Sequence, residues 1–206
     1  EPDVTFVTYI EQNMDNKETI MTCALDLFYA RGYDGVGVQE IADAAGITKP
    51  TLYYYFGSKK GLLQQVLNNY YQILDELLDR AVSFQGHVPE RLFQIARAYF
   101  DYAVRYRKCY LLMLALFYSG RESEGFQTVF PMIQKYYNRI VQVFEDAANE
   151  LGNMHGRQRQ FAVGFIGALD HYLMMCLRDG PEDKSVEISD EQTYGIVHQF
   201  MYGIYS

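Results

Sequence analysis

The side chains best suited to meet an anion are crowded into about a dozen consecutive positions. Thr48, Lys49, Pro50 and Thr51 lead into three consecutive tyrosines, Tyr53, Tyr54 and Tyr55, and Lys59 and Lys60 follow. Between residues 48 and 60 there is no acid, although the chain as a whole carries a net charge of −8. A local positive patch is felt over a Debye length of ~8–10 Å whatever the distant charges do. If the segment is helical, successive side chains lie ~100° apart, so the three tyrosines cannot all be buried. An outward tyrosine hydroxyl can reach a phosphate oxygen or a base edge. Thr48 and Lys49 would stand at the helix N-terminus, where unpaired N–H groups and the dipole favour phosphate. Lys59 opens the next helix, where a cation opposes the dipole. An intramolecular reason for it is weak, and contact with a backbone phosphate accounts for it.

Other reactive side chains are scattered. His87, His155, His171 and His198 have no Cys, Asp or Glu at metal-ligand spacing, and Asp170, next to His171, projects elsewhere on a helix. No metal site is expected. Cys23, Cys109 and Cys176 are odd in number and far apart, which gives no disulfide framework and fits a reducing cytoplasm. Cys109 and Cys176 read as small apolar core groups. Arg105-Tyr106-Arg107-Lys108 reads as a solvated helix end. The chain has no G-x-S-x-G, no phosphate loop and no paired-histidine metal helix. It is therefore not expected to be an enzyme or to carry a cofactor. An all-α enzyme and a helical protein-interaction module stand as the alternatives.

The elements that position these residues are helical throughout. With 206 residues, 49% hydrophobic and 21% charged, a packed core is expected. No apolar run approaches the ~18–20 residues of a membrane span, and no secretion signal opens the chain, so no membrane partner is expected. Ile20, Ala24, Leu27 and Phe28 share one face of a helix over 17–31, which Asn16 can cap. A short helix follows at 38–45, with Val38, Ile41, Ala42 and Ala45 inward. Gly46 makes a sharp turn where glycine tolerates positive φ. Thr48 caps a third helix with Pro50 in its first turn. Gly57 ends it, and Ser58 caps a fourth running to about Ser83. Further helices are predicted at 89–106, 110–117, 127–151, 158–178 and 190–204, punctuated by Gly86, Gly120, Gly125, Gly152, Gly156 and Gly180-Pro181. The fold expected is all-α with about nine helices. A leader, 1–16, is expected to be flexible. A three-helix head, 17–62, contains a helix-turn-helix at 38–56 whose second helix the major groove admits. A larger body spans 63–206.

The stretch ALDLFYARGYDGVGVQEIADAAGITKPTLYYYFGSKKGLL resembles the TetR family of bacterial regulators. The resemblance lies in Leu27-Phe28, Gly32-Tyr33, Ile41-Ala42, Ala45-Gly46, Leu52-Tyr53, Phe56, Ser58-Lys59 and Leu62, and covers about the first third of the chain. Two positions depart from the pattern. Gly37 stands where the family usually caps its second helix with Thr or Ser, and Gly61 where a Glu often completes a capping box. Either loss corresponds to about 0.5–2 kcal/mol of helix-end stability. The resemblance implies a cytoplasmic, homodimeric regulator, in most members a repressor. Its head binds a palindromic double-stranded DNA operator, and its body takes a small-molecule inducer that releases the DNA. It also implies that Lys49, Pro50, Thr51 and Tyr53 meet bases, that Thr48, Tyr54, Tyr55 and Lys59 meet phosphates, and that Phe56 is core.

For the pairing that the family places on its last two helices, small residues at Gly164, Gly167 and Ala168 would allow close approach. Phe161, Phe165, Leu169 and Tyr172 supply bulk around them. In the final helix Ile196, Val197, Phe200, Met201 and Ile204 recur at three- and four-residue spacing. For the ligand, the body's tyrosine, phenylalanine and methionine residues suggest a mostly apolar pocket. Tyr102, Met113, Phe117, Tyr137, Val141, Phe165 and Tyr172 are its candidates, and an apolar or aromatic compound is the expected occupant. Each of these residues can equally be plain core.

Overall fold

No glycine or proline interrupts residues 3–31, and a single helix, α1 (Val4–Arg31), fills that stretch. The computed structural model describes residues 4–152, 154–179 and 186–203, with side chains omitted for 4–15, 178 and 179. The start expected at Asn16 is therefore corrected to Val4. Nothing in that segment stops a helix, so α1 runs through Asn16.

Eight further helices follow among the described residues: α2 (Val38–Ala44), α3 (Lys49–Phe56), α4 (Lys59–Val82), α5 (Val88–Arg105), α6 (Arg107–Phe117), α7 (Glu124–Asp146), α8 (Gln158–Asp179) and α9 (Asp190–Tyr202). The all-α expectation holds. Among these eight, α7 ends five residues before its predicted end and starts three before its predicted position. Ser123 is responsible: its Oγ accepts from the Phe126 N–H at 3.1 Å. Gly125, expected as a break, lies inside the helix, where a Cβ would stand 2.5 Å from Leu116 Cδ2.

The turns around α3 use glycine as predicted. Gly46 has φ +67° and Gly57 φ +70°, values a side-chain-bearing residue adopts only with strain. At the two positions that depart from the TetR pattern, the structure supplies local substitutes. Gly37 caps α2 without a side chain, but Glu40 reaches back to accept from the Gly37 N–H at 3.5 Å and pairs with Arg31. At Gly61 the N–H donates to Ser58 Oγ at 2.9 Å, while a Cβ there would overlap the carbonyl oxygen of Phe56. The missing side chain lets the α3–α4 turn close.

Contacts divide the chain into two compact units, and not at residue 62. The first comprises the chain up to Tyr70 together with Lys108–Phe130, and the second Tyr71–Arg107 together with the chain from Pro131. In the first unit, Ile20, Ala24, Phe28, Ile41, Ala42 and Leu52 are fully buried. Leu27 and Val38 are only partly so. Lys108 of α6 pairs with Asp26 of α1 at 2.6 Å.

In the second unit α5 lies against α8 and α9, burying Leu92, Ile95, Ala96, Tyr99, Phe100 and Ala103 at helical spacing. Phe144, Phe165 and Phe200 form a ring cluster with centroids 5.2–6.3 Å apart. One expectation about composition is corrected here. Gln158–Leu177 of α8 is long and apolar enough, by length and composition, to cross a membrane, yet only 28% of its most apolar window is buried within the chain.

The close approach at Gly61 sets two effects against each other. Helix propensity alone makes Gly→Ala stabilising by about 1 kcal/mol. Overlap with a backbone carbonyl costs about 1–3 kcal/mol and has no flexible side chain to relieve it. Gly61→Ala should therefore lower the thermal midpoint by several degrees, about 2–4 °C for each kcal/mol in a chain of this size. A raised midpoint in a melting scan would show that the turn opens freely.

Candidate nucleic-acid interface

The outward face of α3 is built from its cap. Thr48 Oγ1 accepts from the Thr51 N–H at 3.4 Å, and the two threonine hydroxyls lie 2.9 Å apart. Pro50, in the first turn, has no N–H that needs a partner. Leu52 and Phe56, four residues apart, are buried and hold the helix against the first unit's core. What remains outside is Thr48, Lys49, Pro50, Tyr53 and Tyr54. Tyr54 is 76% exposed and Tyr53 46%. Tyr55 is half-buried, with its ring 5.4 Å edge-on to Tyr54 and 6.1 Å from Phe56. Two tyrosines face outward and one inward, as the 100° spacing requires. Thr51 is half-buried and committed to the cap.

Lys59 requires a correction. Its ammonium donates to the Tyr33 carbonyl at 2.9 Å and the Val36 carbonyl at 3.0 Å, and lies 4.2 Å from the Tyr33 ring centroid. The intramolecular role that the dipole argument set aside is the one observed. Two carbonyls and a ring face outweigh an unfavourable helix end worth about 0.3–1 kcal/mol. Tyr33 then extends the network, because its hydroxyl donates to Glu124 Oε2 of α7 at 2.7 Å. Burial, and after it the bond to the Glu124 carboxylate, pushes the Tyr33 phenol well above its ordinary range, so it remains a donor. Sequence reasoning missed this network. Tyr33 and Glu124 are 91 residues apart, and nothing local marks them as partners.

The seven ligand candidates are divided between the two units. Met113 and Phe117 fall in the first unit, and Tyr102, Tyr137, Val141, Phe165 and Tyr172 in the second. Tyr102, Met113, Val141 and Phe165 are buried. Phe165 fills the ring cluster, Phe117 stacks on Phe126 at 6.1 Å, and Tyr172 stacks on Phe100 at 5.8 Å.

A different polar feature marks the second unit's interior. The hydroxyls of Tyr71 and Tyr136 are buried and have no hydrogen-bond partner among the described residues. Tyr136 stacks on Tyr99 at 5.0 Å, and Tyr99 donates to Asp170 at 2.6 Å. Burial first, then Asp170 and Tyr71, raises the Tyr136 phenol well above its usual range. Burial and then Asp75, opposed by Arg139, pushes Tyr71 up to about 12. Both are therefore protonated donors at neutral pH.

The pairing candidates are corrected in part. Phe165, Leu169 and Val197 are buried in their own chain and cannot form a surface. Phe200 packs on Phe165 at 5.2 Å. Phe161, Ala168, Tyr172 and Met201 are half-buried and Gly164 is exposed. Ile204 lies outside the described residues. The open face of α8 is instead Val163, Gly164, Gly167, His171 and Met175, with Val163 60% and Met175 48% exposed. Of the large rings that sequence reading placed around the small residues, Phe161 and Phe165 pack on Phe144 of α7 and Tyr172 on Phe100 of α5.

Residues 20–66 match the family described as bacterial regulatory proteins, tetR family. Across 92% of the chain and 82% of its relative, the sequence is 27% identical to FasR, an HTH-type transcriptional activator of Mycolicibacterium smegmatis. Residues 20–66 are a TetR-family segment. The chain is also 47% identical over 53 residues to BdcR, an HTH-type transcriptional repressor of Escherichia coli, a match covering 26% of the chain and 27% of BdcR. Its fold is that of AibR, solved in complex with isovaleryl coenzyme A and operator DNA (TM-score 0.69, 23% identity, 89% of this chain and 97% of AibR). The relatives are regulators of transcription and not enzymes.

Lys49 and Lys59 now separate experimentally. Lys49→Ala should reduce the salt slope of DNA binding by about one unit and leave stability unchanged. Lys59→Ala should leave the slope unchanged and cost about 1–3 kcal/mol of stability, because it strands two carbonyls. Salt titrations and melting scans on both variants check this, and the reverse assignment would return Lys59 to the phosphate contacts.

Proposed function

We propose that two copies of this protein bind one palindromic operator in the cytoplasm. Each would place α3 in a major groove and repress transcription until a small-molecule inducer is bound in the body. The observation that carries this reading is the outward face of α3, where Lys49, Pro50, Tyr53 and Tyr54 stand over a buried Leu52 and Phe56. Lys49, Pro50 and Tyr53 are assigned to base edges. Thr48, Tyr54 and Tyr55 are assigned to phosphates. Pairing is supported by α8, whose apolar stretch is mostly unburied within one chain. An isologous contact through Val163, Gly164, Gly167 and Met175 would cover it.

For the inducer, the reading is an apolar compound carrying a neutral polar atom. Tyr71 and Tyr136 offer two buried donors that need an acceptor, and Asp170 disfavours a second carboxylate beside them. AibR, solved with an acyl thioester, makes an acyl carbonyl the first chemistry to test. A second reading, activation, is favoured by FasR, which is named an activator.

Footprinting at two salt concentrations on the DNA upstream of its own gene should give a protected near-palindrome, weaker at the higher salt. Deleting the gene should raise expression from that site. Lowered expression would establish activation, and no protected sequence in a genome-wide selection would remove the regulator reading.

The buried hydroxyls make a separate prediction. Tyr136→Phe should hold or raise stability in the free protein, by up to about 1 kcal/mol, while weakening release of DNA by an added acyl thioester. Unchanged release would place the inducer elsewhere.

A further inference from the structure

Within the second unit a groove of about 270 Å³ opens between the start of α5 and the end of α9. None of the seven ligand candidates and neither unpaired hydroxyl lines it, so it is independent of the inducer site proposed above. Its walls are aromatic on both sides. Phe84 and Phe93 face Tyr194, His198 and Tyr202, and Glu90 is the charged residue of the lining. The three α9 rings recur every four residues and form a ladder with centroids 5.7 and 4.7 Å apart. Tyr194 is 59% and Tyr202 53% exposed. Large rings kept at water beside a cavity mark a contact surface more often than a core fault.

Charge decides what fits. Glu90 forms no ion pair among the described residues, and no lysine or arginine lines the groove. The carboxylate is fixed in place because it accepts from the His87 N–H at 3.2 Å as part of the α5 cap. A negative charge beside several π faces is the complement of an organic cation, which each ring attracts by about 0.5–2 kcal/mol. An anionic ligand meets the opposite field.

Size narrows the class. The volume lies just below the ~300–1,000 Å³ of ordinary ligand pockets, enough for a compact head group and too small for a coenzyme A thioester. Position leaves it open. Phe200, which packs on Phe165 of α8, is roughly 120–160° around α9 from Tyr194, His198 and Tyr202 at ~100° per residue. The groove therefore lies on the side of α9 turned away from α8.

We infer that the α5–α9 groove is a second ligand site, one that takes a compact quaternary or tertiary ammonium compound. The test titrates the full chain with choline and with its neutral isostere, 3,3-dimethyl-1-butanol, following the tyrosine and histidine side-chain resonances by NMR. Choline should bind roughly tenfold more tightly than the alcohol. Glu90→Gln keeps a capping acceptor and should remove most of that preference. Tyr202→Leu, at a half-exposed position, should weaken choline several-fold with an unchanged melting temperature. Equal affinity for the two probes would overturn the proposal. So would choline binding that survives both substitutions, or no shift at tens of millimolar choline.

Discussion

The first unit depends on a lysine that water does not hold. The Lys59 ammonium has exchanged part of its hydration for two carbonyls of the α1–α2 loop and the face of Tyr33. An exchange of that kind persists only when the acceptors are already in position. It therefore fixes the loop, and the loop sets where α2 starts relative to α4. Tyr33 carries the constraint further, since its ring serves Lys59 and its hydroxyl serves Glu124. A short recognition helix of eight residues is marginal alone. Here it is held at both ends, by the Thr48 cap and by the closed turn at Gly61.

The fold was legible in the sequence because its signals are local. Caps, left-handed glycines and apolar spacing act over three or four residues, and Thr48, Gly46 and Gly57 did what their types require. The same locality explains the errors. The Asn16 cap was a competent signal overruled by a segment with nothing to stop a helix. Lys59 was judged against the dipole of its own helix, when its partners were 23 and 26 residues away. The facing of α8 was misread because small and bulky residues alternate around it, and periodicity alone does not say which set turns inward.

The site divides in the same way. The outward face of α3 follows from sequence because a capped helix with two buried anchors leaves few orientations. A receiving interior does not follow from sequence. Aromatic residues that fill a core and aromatic residues that line a pocket have one composition, and only unsatisfied atoms tell them apart. Tyr71 and Tyr136 were invisible until the places of their hydroxyls were known. Phe165, plausible on composition, fills the ring cluster with Phe144 and Phe200.

The two units are interleaved along the chain, since the first is completed only by Lys108–Phe130. During synthesis the head therefore emerges early but lacks α6 and Glu124 until some sixty further residues have been made (roughly 3–12 s at ~5–20 residues per second). In that interval Tyr33 has no carboxylate and Asp26 no lysine. The nascent chain would hold an unfinished DNA-binding surface beside its own message. The same connectivity means that a head cut out at residue 62 or 70 is a different object from the head in the whole protein, stripped of contacts that arrive from the far side of α5.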